Sequence, residues 1–319
     1  METGIEADHR DKLYTLSYSG FFKKQQLNEM KIAIILLAFI PMILLQSNLS
    51  DDKVKKLTSP HLAIMSYNIR YDNPDDGINA WPNRKDHVAE MMADVYSADI
   101  IGVQEALKHQ LDDLQARMPG YSWVGVGRDD GKDKGEFSPI FYKTDRFDLI
   151  ATNTFWLSES PDRPGSRSWD AAITRIATWA RLSDHESGRE FYVINTHFDH
   201  RGEEARVESA RLITEFIDGL DDGVPVLLTG DFNVTEESEA YAVLADSPFL
   251  NDARYLSEEG HEGPTASFSN WETLQPEESR IDYIFVNSHV TVLSHKIADD
   301  RYDGRFPSDH LPVIARVEI

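Results

Sequence analysis

From Leu62 to the C-terminus the chain is built of short apolar runs, and four of them carry a carboxylate, amide or imidazole at one edge. Leu62 to Tyr67 leads into Asn68 of Ser66-Tyr67-Asn68, Ile100 to Val103 into Gln104-Glu105, and Val226 to Thr229 into Gly230-Asp231-Phe232-Asn233. In the fourth, Ser308-Asp309-His310 stands just before Leu311 to Ala315. Apolar runs of this length between turn residues are the signature of buried strands. Ligands of α/β sheets gather at strand ends, so the four polar groups read as one metal-phosphate site. Glu, Asp and Asn are hard oxygen donors that suit Mg²⁺, with Mn²⁺ as the alternative, far better than a soft metal.

Further strand-length runs lie at Ile140 to Tyr142, Leu149 to Leu157, Ile176 to Leu182, Phe191 to Asn195, Ile281 to Val286, Val290 to Leu293 and Pro312 to Val317. Helical patterns separate some of them. Arg84 to Tyr96 is one; Ala205 to Leu220 is clearer, with Ala210, Ile213, Phe216, Ile217 and Leu220 forming a core-facing stripe. Many strands, few helices and short turns predict an α/β sandwich in preference to a regular βαβ array. No repeat, low-complexity tract or flexible linker divides residues 61 to 319, which read as one domain behind a polar linker at 51 to 60.

The composition, 41% hydrophobic and 27% charged over 319 residues, suits one large domain with a substantial core. Residues 1 to 50 balance their acids and bases, so the net charge of −23 falls on the remainder. That acidity argues against tight, non-specific binding to duplex nucleic acid, although a bound divalent metal inverts the potential locally. The absence of cysteine excludes disulfides, thiol catalysis and thiolate metal sites.

One strongly apolar run, Ile32 to Leu45, follows Lys23, Lys24 and Lys31 and contains Pro41. It falls short of the roughly 20 residues that a membrane span needs and has the length of a secretory h-region. Met30-Lys31 directly before it marks an alternative start, which makes residues 1 to 29 an over-extended beginning and 30 to 50 a signal peptide or an uncleaved N-terminal anchor. Export to the periplasm or exterior is the expectation, with no other membrane span.

Ser66-Tyr67-Asn68, Gln104-Glu105, Asn195-Thr196-His197, Gly230-Asp231-Phe232-Asn233, Arg280-Ile281-Asp282-Tyr283 and Ser308-Asp309-His310, taken together and in this order, resemble the endonuclease/exonuclease/phosphatase superfamily. The likeness spans essentially all of residues 62 to 319. It implies a two-sheet α/β sandwich flanked by helices, like that of deoxyribonuclease I, with the site at one edge. It further implies that Glu105 is the principal metal carboxylate, Asn68 its partner amide, and Asp309 a further ligand or a support behind it. Asp231 would orient or deprotonate the attacking water, and Asn233 would donate to phosphoryl oxygens. His310, oriented by Asp282, resembles the catalytic imidazole; His197 resembles a second one that contacts the phosphate. Arg175 stands where relatives bring a phosphate-contacting side chain, and Tyr142, Trp156, Trp169 and His200 are softer candidates for the substrate side.

The implied enzyme is a monomeric Mg²⁺-dependent phosphoesterase that directs water in line at phosphorus. Its substrate is a phosphorylated small molecule or nucleic acid. The segment Gly125-Val126-Gly127-Arg128 with Gly135-Glu136, and the run Trp156 to Arg175, look most like secreted bacterial members related to the nocturnin-like deadenylases. The acid excess and the lack of Lys/Arg clusters tilt the expectation toward a small or sugar-linked phosphate. A nuclease is the alternative, and an inert binding protein of the same fold is a third reading.

Overall fold

The computed structural model describes residues 61–271 and 280–319. The expected over-extended start, signal or anchor, and linker all lie outside the described residues.

Among the described residues, thirteen strands follow in chain order: β1 (Leu62–Asn68), β2 (Ile100–Gln104), β3 (Tyr121–Val124), β4 (Ile140–Lys143), β5 (Phe147–Trp156), β6 (Ile176–Asp184), β7 (Glu190–His197), β8 (Val226–Asp231), β9 (Asn251–Asp252), β10 (His261–Glu262), β11 (Asp282–Val286), β12 (Thr291–Ile297) and β13 (Val313–Glu318). They form a seven-stranded sheet, β10-β12-β13-β1-β2-β4-β3, and a six-stranded sheet, β5-β6-β7-β8-β11-β9. The centre of each sheet holds a parallel pair, β1 with β2 and β7 with β8.

Side chains on a strand alternate between faces, and β1 shows what this does. Leu62 and Ile64 join a core shared with Leu182, Val193, Leu227 and Ile284 of the other sheet. Met65 and Tyr67 join an outer core with Val88, Met91, Leu111 and Leu114. A matching outer core on the six-stranded sheet takes Ala210, Ile213 and Ile217 from helix Glu203–Asp218 and Leu244 from helix Glu239–Ala245. The molecule is therefore a two-sheet sandwich with helices on both outer faces, as the resemblance implied.

The helix expected over Arg84 to Tyr96 is regular for Lys85–Glu90 and then widens into a π turn at Met91–Val95, with Met91 and Met92 both buried. The two-residue strands β9 and β10 are too short, and β3 too mixed in polarity, to show in the sequence. Among the described residues no helix is long and apolar enough to cross a membrane.

Candidate active site

The inward-facing positions of the central strands change character along their length. On β1 they run Leu62, Ile64, Ser66, Asn68; on β2 Ile100, Gly102, Gln104; on β7 Phe191, Val193, Asn195, His197; on β8 Leu227, Thr229, Asp231. Parallel pairing brings Asn68 level with Gln104 and His197 level with Asp231, while antiparallel β11 begins with Asp282 opposite Asp231. One end of the sandwich is thus hydrocarbon and the other is functional.

A buried polar layer separates the two ends. Asn195 donates to the carbonyls of Val103 (2.7 Å) and Pro139 (2.9 Å), and its Oδ1 accepts from Gln104 (2.7 Å) and Thr229 (3.1 Å). This one amide crosslinks the sheets beneath the site. Gly102 makes room for it, since a Cβ there would lie 2.1 Å from Thr229 Oγ1 and 2.6 Å from Asn195 Oδ1.

Above that layer, Asn68 Nδ2 donates to Asp231 Oδ2 (2.8 Å) and Glu105 Oε1 (3.1 Å), while its Oδ1 accepts the Arg70 N–H (2.9 Å). The backbone donor fixes which way the amide points. Asn68, expected as the partner amide of Glu105 at the metal, holds two carboxylates in place. Glu105 Oε2 accepts the Tyr71 N–H (3.1 Å), and Glu105 itself sits in the left-handed region at φ 62; such strain is held only where the surroundings enforce it. Asn233 is left-handed too (φ 52), donates its N–H to Asp231 Oδ1 (3.0 Å) and uses one amide hydrogen on the Phe198 carbonyl (3.1 Å). His310 Nδ1 lies 2.8 Å from Asp282 Oδ2, an oxygen that also accepts from Ser267 Oγ (2.7 Å), and His310 Nε2 faces Asp231 at 3.8 Å. His197 Nε2 is 3.3 Å from the same Asp231 oxygen.

Charge follows from these neighbours. Burial opposes a cation on His310, but Asp282 and Asp231 outweigh it and hold the ring protonated well above its ordinary range. Burial, then Asp282, push Asp231 up to about 7, against the pull of His310 and the Asn68 hydrogen bond. His197 goes the other way, kept neutral by burial and by Arg175 and Arg128. Desolvation lowers Arg175 and raises Asp309.

Glu105, Arg175, His197, Asp231, Asn233, Asp309 and His310 line one pocket of about 610 Å³, with Asn68 and Asp282 bonded to its walls. A larger cavity of about 820 Å³, lined by Ala63, Ser294, Lys296 and Arg316 among others, lies elsewhere. Among the described residues, the sets of three closely spaced metal-type ligands are Glu105–His197–Asp231, all lining the smaller pocket, and Asp231–Asp282–His310, in which Asp282 stands behind His310. The pocket's donors are oxygen and imidazole nitrogen, which fits a hard divalent cation beside Glu105.

Of the softer candidates, His200 lines the pocket, whereas Tyr142 belongs to the central core and Trp156 is buried with its Nε1 on the Arg128 carbonyl (2.6 Å). Trp169 is not among the lining residues. Several lining groups carried no assigned role in the sequence. Glu136 receives Arg128 Nη1 at 2.6 Å and lies 4.0 Å from His197 Nδ1; Arg70 forks onto Asp76 (3.0 and 3.2 Å) with Asp309 3.8 Å away. Each is a charge in a loop and looks like ordinary surface until the loop is folded.

Two sheets meeting at a carboxylate–imidazole edge define a phosphoesterase class. Residues 65–310 match the Endonuclease/Exonuclease/phosphatase family, and the chain belongs to it: an enzyme that hydrolyses phosphate esters. An endonuclease/exonuclease/phosphatase from Bacteroides vulgatus is 42% identical with a TM-score of 0.78, covering 82% of this chain and 99% of that one. A mannosyl-6-phosphatase from Bacteroides thetaiotaomicron is 39% identical with a TM-score of 0.77, covering 81% and 100%. Nocturnin from Mus musculus is 25% identical over 263 residues, 73% of this chain but only 58% of the relative's length.

Proposed function

We propose that this enzyme hydrolyses the phosphate ester of a small or sugar-linked alcohol by in-line attack of water, with a divalent cation held at Glu105 and Asp309. The observation that carries the reading is Arg175. Its Nε and Nη1 are buried without a hydrogen-bond partner, Nε standing 4.0 Å from Asp199 Oδ2, at the pocket that also holds Asp231 and His310. Buried guanidinium nitrogens without a hydrogen-bond acceptor are costly, and an incoming phosphoryl group offers them charged acceptor oxygens.

Held by Glu105 and Asp309, a divalent cation would supply Lewis acidity toward the phosphoryl group. Asp231, steadied by the Asn68 amide and the Asn233 N–H, accepts the proton of the attacking water. His310, kept cationic by Asp282, and neutral His197 contact phosphoryl oxygens, joined by Arg175 and the remaining amide hydrogen of Asn233. No side chain needs to be acylated or phosphorylated.

The mannosyl-6-phosphatase relative and the acid excess support the sugar-phosphate reading over a nuclease. The test is a panel of hexose phosphates, p-nitrophenyl phosphate, bis-p-nitrophenyl phosphate, oligo-RNA and plasmid DNA, with Mg²⁺, Mn²⁺ or EDTA. Monoesterase activity that EDTA abolishes and Mg²⁺ restores is expected; full activity after exhaustive chelation sinks the metal mechanism, and preferential cleavage of oligonucleotide sinks the substrate. In calorimetry, Glu105→Gln is expected to weaken Mg²⁺ binding sharply at unchanged melting temperature. Export directed by Ile32 to Leu45 belongs to the same reading and is checked by cell fractionation.

A further inference from the structure

The pocket borders an aromatic ring that the chemistry above does not use. Trp271 lines it, and the Arg84 guanidinium lies 5.3 Å from the ring centroid. Arg84 is itself buried, stacked on Trp81 at 5.0 Å, and pinned by donation to the carbonyls of Ile69, Arg70 (2.7 Å) and Asn79 (2.8 Å). The loop that carries Trp271 is stitched alongside the site, since the N–H groups of Ser269 (2.7 Å) and Asn270 (3.1 Å) both reach the Asp309 carbonyl. Asn270 and Trp271 are left-handed, at φ 48 and 67. A bulky side chain keeps that backbone only where its surroundings over-determine it. The ring is thus held in place from the cation side and from the backbone side, next to where the scissile ester must lie.

Other groups lining the same pocket are those a polyol needs: the Asp76 and Glu136 carboxylates, held by Arg70 and Arg128, and Asn270, which offers both donor and acceptor. An apolar platform with mixed hydrogen-bonding groups in the same pocket fits a molecule with an apolar face and a hydroxylated edge, which is the anatomy of a pyranose. We propose that Trp271 is the platform on which the pyranose ring of the leaving alcohol rests. The inference rests on the sugar-phosphate reading and makes Trp271 a specificity-determining residue.

The test compares hydrolysis of mannose 6-phosphate and glycerol phosphate by the wild type, Trp271→Ala and Trp271→Phe, with melting temperatures recorded. It adds inhibition by free mannose and by inorganic phosphate. Trp271→Ala is expected to lower kcat/KM for the hexose phosphate about tenfold, the scale of one aromatic contact, and to leave glycerol phosphate unchanged. The inhibition constant of free mannose should rise by a similar factor while that of phosphate stays put, and Trp271→Phe should recover much of both. Equal losses on the two esters, or an unaltered mannose inhibition constant, overturn the platform while leaving the sugar-phosphate reading intact. A wild type that hydrolyses neither ester but cleaves oligonucleotides overturns that reading and the pyranose with it.

Discussion

Asp282 and His310 are 28 positions apart in the chain and 2.8 Å apart in the fold. If the carboxylate works through the imidazole, Asp282→Ala and His310→Ala should each lower turnover by roughly 10² to 10⁴, as acid-base groups do, and the double change should cost little more than the worse single. Simple multiplication of the two losses in a double-mutant cycle at saturating Mg²⁺ would show independent roles. Asp231 offers a second check through pH. Its carboxyl is raised from 3.8 to about 7, so the folded protein without cation binds a proton that the unfolded chain has released, and stability falls as pH rises through that window. The melting temperature of metal-free Asp231→Asn should therefore gain on the wild type between pH 4 and pH 8; a constant difference would refute the shift. That Asp231 and His310 would share one edge was legible in the sequence because they stood at the ends of apolar runs, whereas Asp282 entered only through the family resemblance. The direction of the Asn68 amide was not legible, because it is set by the Arg70 N–H, and Glu136, named beside Arg128 only as a branch likeness, gained no role because its place in the pocket depends on the folded loop.

At the level of strands, the apolar runs located the major elements, and the period of two would have told which residues share a face. What it left out was contact across the gap between the sheets. Asn195 appears in the sequence as one letter of a motif around His197, yet its side chain joins β7 to β2 and to the segment before β4. That role needs the register of both sheets. Gly102→Ala places a methyl group inside the space of Thr229 and Asn195, and overpacking of a tight interior typically costs about 1–3 kcal/mol. Denaturant melts should show a loss of at least that size, with activity falling as Glu105 shifts. Adding Asn195→Ala should return part of the Gly102→Ala loss, since it removes two of the three nearest atoms in the way, Asn195 Oδ1 and Cγ; strict additivity would place the strain elsewhere.

Across the whole molecule, the strand order was the part hidden from sequence, because the chain leaves the seven-stranded sheet after β4, builds most of the other, touches the first again at β10, crosses once more to β11 and ends in β12 and β13. Stability against acid also belongs to this scale. Asp199 gathers the N–H groups of Ala172 (3.0 Å), Ile173 (3.1 Å), Arg201 (2.9 Å) and Gly202 (2.8 Å), tying the segment before β6 to the start of helix Glu203–Asp218. Burial works against its charge, but these bonds prevail and bring the carboxyl from 3.8 down to about 2. Its contribution is complete above pH 4 and lost as pH falls toward 2. Asp199→Asn should be less stable than the wild type at neutral pH and should lose less across that acid window, as measured by thermal melts from pH 2 to 7. The return of the chain has one more outcome. β13 inserts between β12 and β1, and Ser308 Oγ closes onto the Asn68 carbonyl at 2.7 Å. Asp309 and His310 are consequently the last part of the site to leave the ribosome. Under the proposed mechanism, a nascent chain that already possesses Glu105, His197 and Asp231 lacks the imidazole set against the phosphate, so hydrolysis should begin only after the segment from Ser308 through β13 has folded in.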